Sequence, residues 1–481
     1  MNYKISVLPV SHICYINLPM KDLIVKIVLL LGVVFVTCRI AAQDARLGQD
    51  EKELILRKTA EYLRDNYVIP DIGIKYYSFV MQQLKKGVYN KISHPRRFAE
   101  QLTKDIQRIH KDEHIRVISI WPDQQQLREQ DPLLAFFLNA RQDQYTNFGL
   151  KEVQVFPGNI GYLNIISFEA PEQAEQTLDN AMNFLRYCDA IIIDLRQNSG
   201  GSIQMVQYLC SYFFSKPVHL NSYYWRRGDY EEKFRSLEHV NGEKKPDTPL
   251  FILIGPVTFS AGEEFAYDLQ AQKRALLIGE KTGGGAHPGR RFTLNERFRL
   301  FIPTGRAINP VTGSSWENAG VRPDIEVRSN QALAVALEKA KLQARIYREK
   351  KDNSDLNLYL KLSENLKKAD TLLIADQADS ARVIFYPLLE SALNTNAVNE
   401  WIINNLGYKF LSERKYDLAI LILEFNTLHF PGSANSFDSL GEAYMRAGNI
   451  QKAIENYQKS LQLNPYNNNA QLMLEQLNKE K

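Results

Sequence analysis

Two short runs limit what this chain can fold into. Ala190-Ile-Ile-Ile-Asp-Leu and Pro249-Leu-Phe-Ile-Leu-Ile-Gly are almost wholly apolar, and each precedes a stretch of helical spacing, Gln204 to Phe214 and Ala261 to Ala271. A strand with no polar face needs cover on both sides, as in a parallel sheet held between helices. Ile160-Gly-Tyr-Leu-Asn-Ile-Ile and Ala275-Leu-Leu-Ile-Gly add two strands, and Ala170 to Tyr187 adds an amphipathic helix. This alternation, running from Val153 to Val327, predicts an α/β layer fold.

The flanks read differently. Before the core, Glu51 to Arg64 and Tyr76 to Leu84 carry apolar residues at three- and four-residue spacing, with turns at Pro70-Asp and Ser93-His-Pro. His114-Ile-Arg-Val-Ile-Ser-Ile reads as a strand entered directly from the preceding helix. After residue 330 no strand pattern persists, and an internal repeat begins. Leu406-Gly407, Phe410, Ala419 and Pro431 recur as Leu440-Gly441, Tyr444, Ala453 and Pro465, each 34 positions later (440−406, 453−419, 465−431). That period and residue order are the tetratricopeptide signature. Residues 360–395, with Ala381 and Pro387, read either as a degenerate first unit or as a plain helical hairpin. The expected organisation is a leader at 1–43, an N-terminal helical domain at 44–150, the α/β core at 151–330, a helical linker or degenerate repeat at 331–395, and tetratricopeptide repeats at 396–481.

Composition narrows the function classes. Charged residues make up 24% and the formal net charge is +4, so no basic field favours a nucleic-acid partner. Residues 1–42 hold Lys4, Lys21, Lys26 and Arg39 against Asp22, a net of +3. A charged start at Met20-Lys-Asp, an apolar run from Leu23 to Val36 and small residues at Ala41 and Ala42 have the layout of a secretory signal peptide. The alternative is an uncleaved anchor, for which the run falls short of the roughly 20 residues that span a bilayer. The chain is therefore expected to be exported: periplasmic in a double-membrane bacterium, otherwise extracellular or membrane-anchored. Cys14 and Cys38 lie in the leader, with Cys38 a weak site for lipid attachment; Cys188 and Cys210 read as buried thiols rather than a bridge.

Ser260 follows a buried strand and opens a helix. There the helix amides and the positive end of the dipole favour an oxyanion. Taken alone, Ser260 with Glu263 also fits a Ser-x-x-Glu capping box. Gly200 and Gly201 end the strand that carries Asp194, and their amides with that of Ala261 are candidates for an oxyanion hole, although a tight turn explains the glycines equally well. Gly279-Glu-Lys-Thr-Gly-Gly-Gly285 is a second glycine-rich loop and does not match a P-loop.

In order, Asp194-Leu-Arg-Gln-Asn-Ser-Gly-Gly201, Thr258-Phe-Ser-Ala-Gly-Glu, Gly279-Glu-Lys-Thr-Gly-Gly and Glu317-Asn-Ala-Gly-Val-Arg-Pro-Asp-Ile resemble the successive blocks of the tail-specific protease superfamily. That superfamily includes C-terminal processing peptidases, the tricorn core protease and the interphotoreceptor retinoid-binding protein. The resemblance covers residues 44–330 and implies a crotonase/Clp-like α/β peptidase core. Processing peptidases use a Ser-Lys dyad whose lysine falls where this chain has Gly285; Lys281 matches a non-catalytic family position. The tricorn-like branch is similar to a Ser-His-Glu arrangement. Carried over, it implies Ser260 as nucleophile, His114 of Asp112-Glu-His as general base and Glu317 as the acid orienting that base. Glu113 stands where the family usually has serine, and His287 is a reserve base or cleft residue. Phe259 and Trp316 are expected to flank the cleft. The roughly 40 residues between His114 and Val155 are too few for an inserted PDZ-type module.

These residues point to a serine-type peptidase acting through an acyl-enzyme on a peptide or protein substrate, with no cofactor and no metal. Three other readings stay open. His110-Lys-Asp-Glu-His114 also spells an inverted zinc-peptidase motif, which requires both histidines on one continuous helix. The same fold serves elsewhere as a non-catalytic binder of hydrophobic ligands or peptides. The tetratricopeptide array, read here as accessory, would dock a protein partner.

Overall fold

The computed structural model describes residues 46–120, 141 and 143–479. The leader readings at 1–43, with Cys14 and Cys38, lie outside the described residues. Among the described residues, no helix is long and apolar enough to cross a membrane. The chain divides into two compact units, one up to Arg345 and one from Ile346.

The first unit is built on a six-stranded sheet. Its strands are β2 (Leu150–Phe156), β3 (Ile160–Ile165), β4 (Ala190–Asp194), β7 (Leu250–Ile254), β8 (Leu276–Gly279) and β12 (Ile325–Glu326), in the order β12-β8-β7-β4-β3-β2. All neighbours are parallel except the β2–β3 hairpin. Every residue of β4 and β7 is buried, as their composition requires. Ile191, Ile193, Ile252 and Ile254 face a core shared with α4 (Pro171–Phe184), α5 (Ile203–Ser211) and α6 (Ala261–Ala271). Ala190, Ile192, Phe251 and Leu253 face the other way, against Ala332, Ala336, Ala340 and Ala344 at the start of α7 (Ser329–Ile374). Four alanines at four-residue spacing form a flat stripe that lies close to the sheet.

Two three-stranded antiparallel sheets complete this unit: β1 (Arg116–Ser119) with β10 (Phe298–Pro303) and β9 (Gly289–Asn295), and β11 (Gly305–Ile308) with β5 (His219–Trp225) and β6 (Tyr230–Arg235). The helices α1 (Gln49–Asn66), α2 (Pro70–Lys86) and α3 (Pro95–Gln107) share one core with β1, β9 and β10, including Phe98, Leu102, Leu294, Phe298 and Leu300. The N-terminal helices are thus completed by strands from much later in the chain. The strand expected to begin at His114 begins at Arg116, and α3 ends at Gln107, so a turn separates them. His110 and His114 are therefore not on one helix, which removes the geometry of an inverted zinc-peptidase motif. Cys188 and Cys210 are buried free thiols.

In the second unit the repeat is visible as helix pairs. α9 (Glu400–Ser412) and α10 (Tyr416–His429) recur as α11 (Ala434–Arg446) and α12 (Ile450–Leu463), each 34 residues on (434−400, 450−416), and α13 (Asn468–Lys479) follows. A Cβ on Gly407 would meet Leu423 at 2.6 Å, and one on Gly441 would meet Tyr457 at 3.0 Å. Those approaches explain the Leu-Gly pairs. α8 (Ala378–Asn394) begins 38 residues before α10 (416−378), so the preceding hairpin is out of step with the repeat.

A buried acidic pair lies where α6 meets β5. Glu264 is fully buried beside Tyr223 and Asn221, and burial pushes its carboxyl up to about 7. Asp268, beside it, accepts from Asn309 Nδ2 at 3.0 Å and is also held well above the ordinary range, first by burial and then by Glu264. A carboxyl raised on folding contributes stability that is complete below its unfolded value and is lost as pH rises through the folded value. The window for Glu264 runs from its ordinary 4.5 up to about 7. Glu264→Gln is expected to melt above the parent chain at pH 8 and close to it at pH 5. Equal differences at the two pH values would contradict this.

Candidate active site

Ser260 stands between β7 and α6 with φ 54° and ψ −121°, a conformation that L-residues adopt only under constraint. The constraint is visible. Phe259 N–H donates to Asn198 O at 3.0 Å, Thr258 Oγ1 donates to Leu195 O at 2.8 Å, and Ser260 N–H donates to Glu263 Oε2 at 2.9 Å. Ser260 and Glu263 form the expected capping box. The serine Oγ also lies 3.2 Å from His114 Nε2.

His114 is held from several sides. Its backbone N–H donates to Asp112 Oδ1 at 3.1 Å. Its ring lies against Phe259, with centroids 4.7 Å apart, and against Phe301 at 6.0 Å. Burial pushes its pKa down to about 4, only partly offset by Asp112. The imidazole is therefore neutral at ordinary pH and able to accept a proton.

The expected acid, Glu317, is next to a different histidine. Its Oε2 accepts from Ala286 N–H at 2.6 Å, and its Oε1 is 3.8 Å from His287 Nδ1. The carboxylate beside His114 Nδ1 is Asp112, at 4.0 Å, and Nδ1 has no hydrogen-bond partner among the described residues. Asp112 Oδ2 also meets His287 Nδ1 at 3.0 Å and accepts from Tyr67 Oη at 3.0 Å. Burial raises the Asp112 pKa, but His287, His114 and Tyr67 together bring it below the ordinary range. Burial lowers His287, yet Asp112 and Glu317 carry it above its usual value. Burial raises Glu317 to about 7, against the opposing pull of His287. Sequence reasoning named Asp112 only as part of the histidine motif and missed Tyr67.

The oxyanion candidates divide. Gly200, with φ 102°, lies so close to the Ser260 turn that a Cβ there would be 2.8 Å from Ser260 Cβ. Its N–H, however, donates to Asn198 Oδ1 at 2.9 Å, so it is committed elsewhere. The amides of Gly201 and Ala261 carry no hydrogen bond among the described residues. Asn198 was not singled out in the sequence; its Nδ2 also donates to Ile165 O at 3.1 Å, which fixes the turn.

Three other expectations shift. Glu113 does not enter the cleft, because its carboxylate pairs with Lys111 at 3.3 Å. Trp316 is 2% exposed, so it lines no cleft; its Nε1 donates to Gly285 O at 2.8 Å. His287 is buried, and its Nδ1 meets Asp112 rather than Ser260. At Gly285 a Cβ would lie 2.3 Å from Phe259 Cζ and 2.6 Å from His114 Cε1. Any side chain there, a lysine included, collides with the His114 ring as it now stands.

Residues 159–327 match the model of peptidase family S41, and residues 49–146 match the N-terminal domain of Peptidase_S41 in eukaryotic IRBP. Residues 439–467 match a tetratricopeptide repeat. A carboxyl-terminal-processing protease of Synechocystis sp. is 34% identical over 171 residues, covering 35% of this chain and 38% of the relative. Carboxyl-terminal-processing peptidase 2, chloroplastic, of Arabidopsis thaliana is 30% identical over 169 residues, covering 34% and 31%. The aligned part spans about two fifths or less of these relatives. Among solved structures, a photosystem II D1 C-terminal processing protease aligns at 16% identity and TM-score 0.37, over 58% of this chain and 93% of that one. The tricorn protease aligns at 20% identity and TM-score 0.28, over 43% and 19%. By its two adjoining domain matches and its repeat, the chain belongs to the tail-specific protease family, peptidase family S41, with tetratricopeptide repeats at its C-terminal end.

Proposed function

We propose that this chain is an exported serine-type peptidase that cleaves peptide bonds through an acyl-enzyme on Ser260. The observation carrying this reading is the 3.2 Å approach of Ser260 Oγ to His114 Nε2, at a helix N-terminus and on a backbone bent out of the ordinary regions.

In this reading neutral His114 takes the hydroxyl proton as Oγ attacks the scissile carbonyl. The amides of Gly201 and Ala261 receive the developing oxyanion, with the α6 dipole behind them. The imidazolium then passes its proton to the leaving amine, and water releases the acyl group by the reverse sequence. Asp112 supplies the nearest negative charge to the imidazolium, at 4.0 Å from Nδ1. Glu317 acts at one remove, through His287 and Asp112. The substrate is a peptide or protein, and the tetratricopeptide helices are an accessory surface for a protein partner.

Labelling with a fluorophosphonate tests the pair directly. The parent chain is expected to label at Ser260, Ser260→Ala not at all, and His114→Ala about 10² to 10⁴ times more slowly. Equal labelling of all three would overturn the mechanism. Gly285→Ala pushes a methyl group against the His114 ring. Its labelling is expected to slow by about 10²-fold through misplacement of the base, with the melting temperature little changed. Labelling at the parent rate would show that His114 is not held where the reaction needs it.

A further inference from the structure

We infer that Asp112, His287 and Glu317 form a binding site for one divalent transition-metal cation, zinc by donor preference, immediately behind the His114–Ser260 pair. One potential ligand atom from each residue lies within 4.8 Å of the other two. His287 Nδ1 is 3.0 Å from Asp112 Oδ2 and 3.8 Å from Glu317 Oε1. Ligands held about 2.0 to 2.1 Å from a zinc ion stand roughly 3 to 4 Å apart across its coordination angles. The residues therefore need little movement to close on an ion. One imidazole with two carboxylates suits zinc, and the imidazole disfavours calcium and magnesium, which prefer oxygen alone.

A second observation is independent of the clustering. Glu317 Oε2 is satisfied by Ala286 N–H, but Oε1 is buried and has no hydrogen-bond partner among the described residues. The Glu317 side chain is 10% exposed. A buried carboxylate oxygen with no donor is costly, and this one is turned toward the His287 ring. A cation bridging it to His287 and Asp112 would satisfy it. The supporting contacts are also in place. His114 N–H on Asp112 Oδ1 and Tyr67 Oη on Asp112 Oδ2 fix one carboxylate, and Ala286 N–H fixes the other. Outer contacts of this kind orient ligands in metal sites. No spacing in the sequence announces the site, because Asp112 and His287 are 175 residues apart.

Zinc titration of the full chain against a chromogenic chelator tests the site without any turnover. One zinc per chain is expected, with the affinity reduced at least about 100-fold in His287→Ala and in Glu317→Gln. Glu317→Gln keeps an acceptor for Ala286 N–H, so it guards against a variant that fails merely by misfolding. Cobalt(II) in place of zinc is expected to give a visible absorption band that both variants lose. Absence of a stoichiometric site in the parent chain, or equal uptake by a folded His287→Ala, would overturn the proposal. Ser260→Ala is expected to bind zinc like the parent. Zinc binding by a parent chain that no phosphonate labels would support the metal site and count against the serine reading.

Discussion

A carboxylate withdrawn from water has to find donors, and Glu263 finds four. Its two oxygens accept from Ser260 N–H, Thr282 Oγ1, Gly284 N–H and Gly285 N–H at 2.5 to 2.9 Å. Burial still outweighs these bonds and raises its pKa to about 6, a measure of how far it is removed from solvent. The effect on the site is mechanical. One side chain in the first turn of α6 joins the loop carrying Ser260 to the loop that lies against His114. The second loop is then tied to the Glu317 segment by Trp316 Nε1 on Gly285 O and by Ala286 N–H on Glu317. Segments far apart in the chain thus hold one geometry through a handful of directed bonds.

What the sequence discloses follows the range of the interaction. β4 and β7 are legible because burial on both faces is written into consecutive residues. The 34-residue repeat is legible because Gly407 and Gly441 meet the same kind of neighbour one period apart. The two antiparallel sheets are not, since β1, although readable as a strand, finds its partner β10 only 185 residues on (301−116). Among site residues, Ser260 and His114 could be placed because ordered blocks surround them. The partnership of Asp112, His287 and Glu317 could not, because they come from three separate segments and nothing local to any of them names the other two. Trp316 illustrates the reverse error. An aromatic beside a motif suggested a cleft wall, whereas the indole is packed inward to secure a backbone carbonyl.

Within the mechanism proposed above, Gly285 accounts for the absence of a base from its own loop. A base approaching Ser260 from this loop needs a side chain at that position. A base approaching from the Asp112-Glu-His turn needs the position empty, because the imidazole and Phe259 already fill the space a Cβ would take. The absent lysine is thus one side of a steric choice, and His114 is the other.

The backbone of Ser260 has a consequence of its own. With φ at 54° and ψ at −121°, the position suits glycine better than any residue with a side chain, and the difference is of order 1 kcal/mol or more. A glycine there would relax the turn and strengthen the fold while removing the hydroxyl. In the proposed mechanism the turn and the hydroxyl therefore make opposite demands on position 260: the backbone there is relaxed by glycine, and the chemistry is lost with it.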